Sequence, residues 1–105
     1  MDRTADETDV EAAKMAGDDA TEDSKTRRLF DDPTTVRLSL AEGDEVPPHS
    51  HPDRTVVFYV VSGKFDVRLD GKSHTLTEDE ALRFDGDREV SPHAVEDSEA
   101  LVIVT

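Results

Sequence analysis

The sequence contains no cysteine, tryptophan, asparagine or glutamine, and its aromatic residues are four phenylalanines and one tyrosine. The absence of cysteine excludes a disulfide framework and thiolate chemistry. The longest unbroken apolar run, residues 56–61, is far shorter than the roughly 20 residues that a membrane-spanning helix needs. No signal peptide is recognisable either. We therefore expect a cytoplasmic protein with no membrane association.

Basic residues are also scarce, because 12 Lys and Arg stand against 26 Asp and Glu, which gives a net charge of −14. Such a chain has little with which to neutralise phosphates, so nucleic-acid binding is excluded as a function. The lack of amides, with 16 Asp against 10 Glu, is typical of halophile proteins whose carboxylates keep them hydrated in high salt. We interpret the chain as a halophile protein, with an ordinary acidic protein as the alternative.

The first 28 residues carry nine acidic and five basic side chains and no aromatic one. Such a segment cannot bury enough apolar surface to offset the entropy lost on ordering. We predict a mostly disordered acidic tail over residues 1–28 and one small domain over residues 29–105. The capping box Thr8-Asp9-Val10-Glu11 could start a short helix that Gly17 ends, although isolated helices of that length are marginal in water.

From residue 29 onward, short strand patterns alternate with turn signals. Apolar and polar residues alternate over 36–40 and 65–69, whereas the run 55–62 is apolar on both faces, as in a central strand. The pair Asp70-Gly71 predicts a two-residue hairpin. Further strands are expected over residues 74–77, 81–84, 89–95 and 101–104. The sequence therefore predicts an all-β antiparallel sandwich or barrel of seven or eight strands without an internal helix.

Two histidines, His49 and His51, lie two residues apart in a proline-rich segment. Side chains at positions i and i+2 of an extended chain project to the same side, so both imidazoles can reach one metal ion. A surface turn with two solvated imidazoles is the alternative that these residues alone leave open.

The spacing around the pair resembles the first motif of the cupin family. It runs Gly43, five residues, His49-Ser50-His51, four residues, Val56, six residues and Gly63, with Val56 where the family usually has a metal-binding glutamate. The later segment Ser91-Pro92-His93-Ala94-Val95 resembles the part of a cupin that carries the last histidine ligand. The resemblance covers residues 36–105 and implies a double-stranded β-helix, a small jelly-roll-like barrel, with the site inside its mouth.

The resemblance implies a divalent transition metal, Zn, Fe, Ni, Cu or Mn, held by His49, His51 and His93. Three imidazoles with open water positions make a competent site, and a redox metal there would suit dioxygenase-like chemistry. A second alignment puts Val90 at the last ligand position and leaves only two histidine ligands. His74 is a reserve ligand on a neighbouring predicted strand.

Strand parity turns residues 56, 58 and 60 toward the barrel interior and turns Tyr59 away from it. Among the basic residues, Arg54, Arg68 and Arg83 are the candidates to hold an anionic ligand at the mouth, with ordinary salt bridges to surface acids as the alternative.

Three functions remain open from the sequence. The first is a metal-binding cupin, with or without catalysis. The second is a metal-free cupin that binds a small molecule such as a carboxylate or a sugar. The third is a structural module in which the outer face of strand 55–62 joins two barrels and the acidic tail meets a basic partner. We expect a homodimer in each case, because a core this small gains from burying a second apolar face.

Overall fold

The computed structural model describes residues 12–13 and 25–105, and eight β-strands without a helix account for its regular structure. In chain order the strands are β1 (Thr26–Asp31), β2 (Thr34–Leu40), β3 (Thr55–Ser62), β4 (Lys64–Leu69), β5 (Lys72–Thr77), β6 (Ala81–Asp85), β7 (Val90–Ala94) and β8 (Ser98–Val104). Among the described residues no helix is long and apolar enough to span a membrane.

The strands form two antiparallel sheets that enclose one core. The larger sheet has the strand order β1-β2-β8-β3-β6 and the smaller one the order β5-β4-β7. Isolated bridges from Glu45 to His93 and from His49 to Val90 add the β2–β3 connection to the free side of β7. This arrangement confirms the predicted all-β double-stranded β-helix.

Buried and half-buried side chains alternate along β3, which shows which side of the larger sheet faces the interior. Val56, Phe58 and Val60 are at most 1 % exposed. The ring of Phe58 meets that of Phe65 on β4 edge to face, with centroids 5.0 Å apart, and so joins the two sheets. Tyr59 faces outward as predicted, and its hydroxyl donates a hydrogen bond to Asp79, which raises the pKa of Tyr59.

The turn between β4 and β5 has the conformation that the sequence predicts. Asp70 and Gly71 both have positive φ, 51° and 84°, as a type I′ hairpin requires. Gly63, between β3 and β4, also has positive φ, and a β-carbon there would overlap Ser98. Only glycine fits that position without strain.

The described chain enters the fold at β1. This strand begins at Thr26, so residues 26–28 of the segment predicted as a tail take part in a sheet. Ala12 and Ala13 are exposed and lie in no helix or strand. Lys25 is described as well, and its carbonyl accepts from the N–H of Ser39 at 2.8 Å. The rest of the predicted tail, with nearly all of its capping-box helix, lies outside the described residues.

Candidate ligand-binding site

The connection between β2 and β3 carries both histidines of the proline-rich segment, and main-chain hydrogen bonds hold it in place. His49 and Val90 exchange two backbone hydrogen bonds of 3.1 and 2.8 Å. The backbone N–H of His51 donates to the carbonyl of Gly86 at 2.7 Å, and the N–H of Gly86 donates to the carbonyl of Arg54 at 2.7 Å. These backbone hydrogen bonds therefore fix the positions of the main-chain atoms that carry the two imidazole side chains.

Both imidazoles line a cavity of about 490 Å³ at one end of the barrel, which we call the histidine cavity. The two rings stand perpendicular, with centroids 5.0 Å apart. The apolar part of the wall comes from both sheets and includes Leu38, Val56, Phe58, Phe84, Val90 and Val104. The cavity volume lies in the range of small-molecule sites, and a mainly apolar wall with a few polar groups is typical of them.

The hydrogen bonds of His49 define which of its nitrogens is free. Nδ1 lies 2.9 Å from the carbonyl oxygen of Pro47. A carbonyl can only accept, so Nδ1 carries the hydrogen, and in the neutral ring Nε2 keeps its lone pair. His49 therefore offers an acceptor, either to a ligand that donates a hydrogen bond or to a metal ion.

His51 is held toward the neutral form. Burial lowers the pKa of His51 below its usual 6.5, and the neighbouring charges of His49 and Arg54 lower it further. The neutral imidazole keeps one donor and one acceptor nitrogen.

Arg54 supplies the positive charge at this end of the cavity. Its side chain lines the histidine cavity and makes no salt bridge with any residue that the structure describes. Arg28 also lines the cavity, but it pairs with Asp31 at 3.4 Å. Of the three arginines that the sequence singled out, Arg68 pairs with Asp66 on another face of the molecule at 3.3 Å. Of the two arginines that line the cavity, Arg54 is therefore the one without an ion-pair partner among the described residues.

His93 is not among the residues that line the cavity. It follows Pro92, which does line it, so strand alternation turns His93 to the outer face of the smaller sheet. Its Nδ1 lies 3.2 Å from Glu45 Oε1 and its Nε2 lies 3.2 Å from Ser91 Oγ. The cavity wall contains Val90 in its place, as the second alignment of the sequence has it.

The row Glu45, His93 and Ser91 has the connectivity of a hydrolytic triad but not its chemistry. The Ser91 hydroxyl donates to the carbonyl of Val46 at 2.7 Å, so it accepts from His93 and has no proton to give to it. Ser91 is also only 6 % exposed. We read the row as a clamp that ties the β2–β3 connection to β7.

The donor set of the cavity does not fit a resident metal held by three protein ligands. Two imidazoles meet there, while Val56 and Val90 occupy wall positions where the cupin resemblance would place further ligands. His74 shares a face with Val67 of the core but does not line the cavity. Within residues 12–13 and 25–105 no group of three or more His, Cys, Asp and Glu side chains is arranged to hold a metal ion.

Comparison with known proteins shows which family the chain belongs to. The family model described as "Cupin domain" matches residues 36–105, two thirds of the chain. The chain belongs to the cupin family. The matched range is the one over which the sequence motifs resemble cupins. No curated protein matches the sequence significantly.

Solved structures share the cupin fold at low sequence identity. An RmlC-like cupin protein from Desulfovibrio desulfuricans is 18 % identical, with a TM-score of 0.74 over 90 % of this chain and 97 % of its own. The protein KdgF from Halomonas sp. is 24 % identical, with a TM-score of 0.68 over 75 % of this chain and 76 % of its own. A predicted oxalate decarboxylase from Thermotoga maritima is 18 % identical, with the same TM-score and coverage. At these identities the likeness concerns the fold.

Part of the site has no signal in the sequence. Thr26 and Arg28 of β1 line the histidine cavity although they fall in the segment predicted as a tail. They belong to a strand whose inward residues are polar, and so the apolar alternation that identifies a half-buried strand is missing.

Proposed function

We propose that this cupin binds a small organic acid in the histidine cavity without a resident metal. The observation that carries the proposal is the composition of the cavity: an apolar wall, a guanidinium at Arg54 that no described residue pairs with, and an acceptor nitrogen at His49. An apolar chain would be buried against Val56 and Phe58, and a carboxylate would bind Arg54, whose planar fork matches it. A hydroxyl on the ligand would donate to Nε2 of His49.

Calorimetric titration with hexanoate and α-hydroxyhexanoate tests this proposal, because the two acids differ by one hydroxyl. We expect both to bind and the hydroxy acid to bind about tenfold more tightly, the gain from one hydrogen bond. His49→Phe should remove the difference, and Arg54→Ala should weaken both acids. If neither acid binds the wild type, the proposal is overturned.

A metal-binding cupin is the second candidate. The 5.0 Å separation of the two rings is compatible with imidazoles that bind one ion through nitrogens at about 2.1 Å. The ions concerned are Zn, Fe, Ni, Cu or Mn, with His93 as the third ligand in the set that the sequence predicts. Two imidazoles alone bind weakly, so this candidate depends on a further donor.

Elemental analysis of protein purified in high potassium chloride without a histidine tag separates the two candidates. Metal near one equivalent per chain, lost in His49→Ala or His51→Ala, would favour the metal-binding candidate over ours. Metal lost in His93→Ala as well would make His93 the third ligand. We expect the wild type to contain far less than one equivalent. We also propose a cytoplasmic location in a halophile, which the composition supports.

A further inference from the structure

The arginines of this chain are distributed unevenly between paired and unpaired positions. Seven arginines lie in the described part of the chain, and Asp31, Glu99, Asp66 and Asp70 pair with Arg28, Arg37, Arg68 and Arg88 at 3.1 to 3.4 Å. Arg27 is not free either. Arg54 and Arg83 remain without an ion-pair partner among the described residues. In a chain with 26 acidic side chains, two unpaired guanidiniums at neighbouring positions call for a reason.

The two unpaired arginines line one groove. This β6 groove, of about 410 Å³, is formed by residues 53–55, residues 83–85 and Asp87. Arg54 and Phe84 line both the groove and the histidine cavity, so the groove begins at the mouth of the cavity. Arg83 stands opposite Val57 and so shares its outward face, but β6 is the edge strand of the larger sheet, around which a long side chain can reach the groove. Val57 follows Arg54 by three residues, about 10 Å along the chain, and the two strands lie about 5 Å apart. Two long, exposed arginine side chains can approach one ligand head group across these distances.

Three carboxylates share the groove and limit how an anion can be held there. Asp87 Oδ1 accepts from the N–H of Asp53 at 3.1 Å, and Asp85 Oδ1 accepts from the N–H of Asp87 at 3.0 Å. The carboxylates of Asp85 and Asp87 thus accept from backbone donors rather than from the guanidiniums. Because the three carboxylates outnumber the arginines, no general attraction draws anions in, and only direct contact with a guanidinium fork can hold one.

We propose that the β6 groove is a second anionic subsite, and that the ligand of this cupin has an apolar chain and a dicarboxylate head. The apolar chain lies in the histidine cavity, the first carboxylate binds Arg54 at the mouth, and the second carboxylate binds Arg83. The inference rests on the proposed function, since it extends the same ligand beyond the cavity. It adds the charge and shape of the head group, which the cavity alone does not specify.

Calorimetric titration with hexanoate, butylmalonate and butylsuccinate tests the proposal, because the three share a butyl chain and differ in the number and spacing of carboxylates. At least one dicarboxylate should bind the wild type about tenfold or more tightly than hexanoate, the gain expected from one charge-assisted contact. Arg83→Ala should remove that gain and leave the affinity for hexanoate unchanged. Arg83→Lys should restore it only in part, because an ammonium lacks the bidentate fork.

Arg68→Ala is the matched control, since it removes an exposed arginine that is paired with Asp66 away from the groove. It should leave all three affinities unchanged. Equal binding of the three acids to the wild type, or a dicarboxylate preference that survives in Arg83→Ala, would overturn the second subsite while the proposed function stands. Failure of all three acids to bind would overturn both.

Discussion

At the scale of single residues, Val56 determines the donor set of the histidine cavity. It is 1 % exposed and faces the cavity from β3, where the cupin resemblance implies a glutamate. We predict that Val56→Glu lowers the free energy of unfolding by about 2–4 kcal/mol in the absence of metal, because it buries a carboxylate. Added Zn²⁺ or Ni²⁺ should restore the loss by binding His49, His51 and the new carboxylate. Thermal unfolding with and without metal measures both effects.

Val56→Gln is the control for this substitution, since it has nearly the same shape without the charge. It should destabilise the protein with no comparable recovery on addition of metal. Recovery of equal size in both variants would mean that the metal binds elsewhere.

The lowered pKa of His51 predicts how stability depends on pH. The unfolded chain takes up a proton at this residue near pH 6.5, whereas the folded protein holds His51 neutral to lower pH. In that window the unfolded state binds more protons, so the contribution of His51 to stability decreases as the pH falls. Urea unfolding across the window should show a shallower pH dependence for His51→Gln than for the wild type. Equal slopes would contradict the prediction.

The sequence predicted the neighbourhood of His49 and His51 more securely than that of His93, and strand parity explains why. Two residues that are two positions apart on an extended chain share a face whatever the register. His93 and Val90 are three positions apart, an odd number, so their side chains project to opposite sides of β7 and only one of them can point into the cavity. Which of the two points inward depends on the register that the β6–β7 turn gives to β7. The spacing of residues along the chain does not determine that register.

At the scale of elements, Gly86 positions the β2–β3 connection against the β6–β7 turn. A β-carbon on Gly86 would overlap the carbonyl oxygen of His51 and crowd that of Arg54. We predict that Gly86→Ala costs about 1–3 kcal/mol of stability by overpacking and weakens binding of α-hydroxyhexanoate by displacing the backbone of Arg54, whose guanidinium binds the carboxylate in our proposal. Thermal unfolding and calorimetry measure the two effects.

Gly43→Ala is the matched control in the same connection. Gly43 has a φ of 89° but open space where a β-carbon would lie, so the substitution should cost about 1–2 kcal/mol through backbone strain alone. Ligand affinity should not change. A loss of affinity in Gly43→Ala equal to that in Gly86→Ala would show that the close contact at Gly86 is not what positions the site.

The clamp between Glu45 and His93 joins the same connection to β7 from the outside of the barrel. A double-mutant cycle with Glu45→Ala and His93→Ala should give a coupling of about 0.5–1 kcal/mol in urea unfolding, as for a partly exposed hydrogen bond. Neither substitution removes a group from the histidine cavity, so hexanoate affinity should stay near that of the wild type. A coupling of zero would contradict the clamp.

The elements that the sequence located best are those with apolar inward faces. The bounds of β3 match the predicted run 55–62, because a strand buried on its inner face and half-buried on its outer face has an unmistakable composition. β1 was not predicted, since its inward residues Thr26 and Arg28 face the cavity rather than the core. A strand whose inward residues are polar because they line a cavity lacks the alternation of apolar and polar residues by which a strand is recognised in a sequence.

At the scale of the whole molecule, the outer face of the larger sheet has the properties of a dimer contact. Register pairs Val57 with Ile103 and Tyr59 with Leu101, and all four side chains are only half-buried. We predict a homodimer through the part of this face centred on β8, which leaves Arg83 on the edge strand β6 free, and Ile103→Glu should convert the dimer to a monomer in sedimentation velocity. Thr75→Glu, on exposed β5 of the other sheet, should remain dimeric. A monomeric wild type, or a dimer that Ile103→Glu leaves intact, would contradict the prediction.

The backbone hydrogen bonds between the β2–β3 connection and the strands beside it have a consequence for how this site can change. Because main-chain groups of His49, His51 and Arg54 anchor the β2–β3 connection, the side chains of these three residues are not needed to hold it in place. Substitutions there alter what is recognised while the loop keeps its course. The barrel is therefore a suitable starting scaffold for directed evolution, in which new specificities can be selected at these positions with little risk to folding.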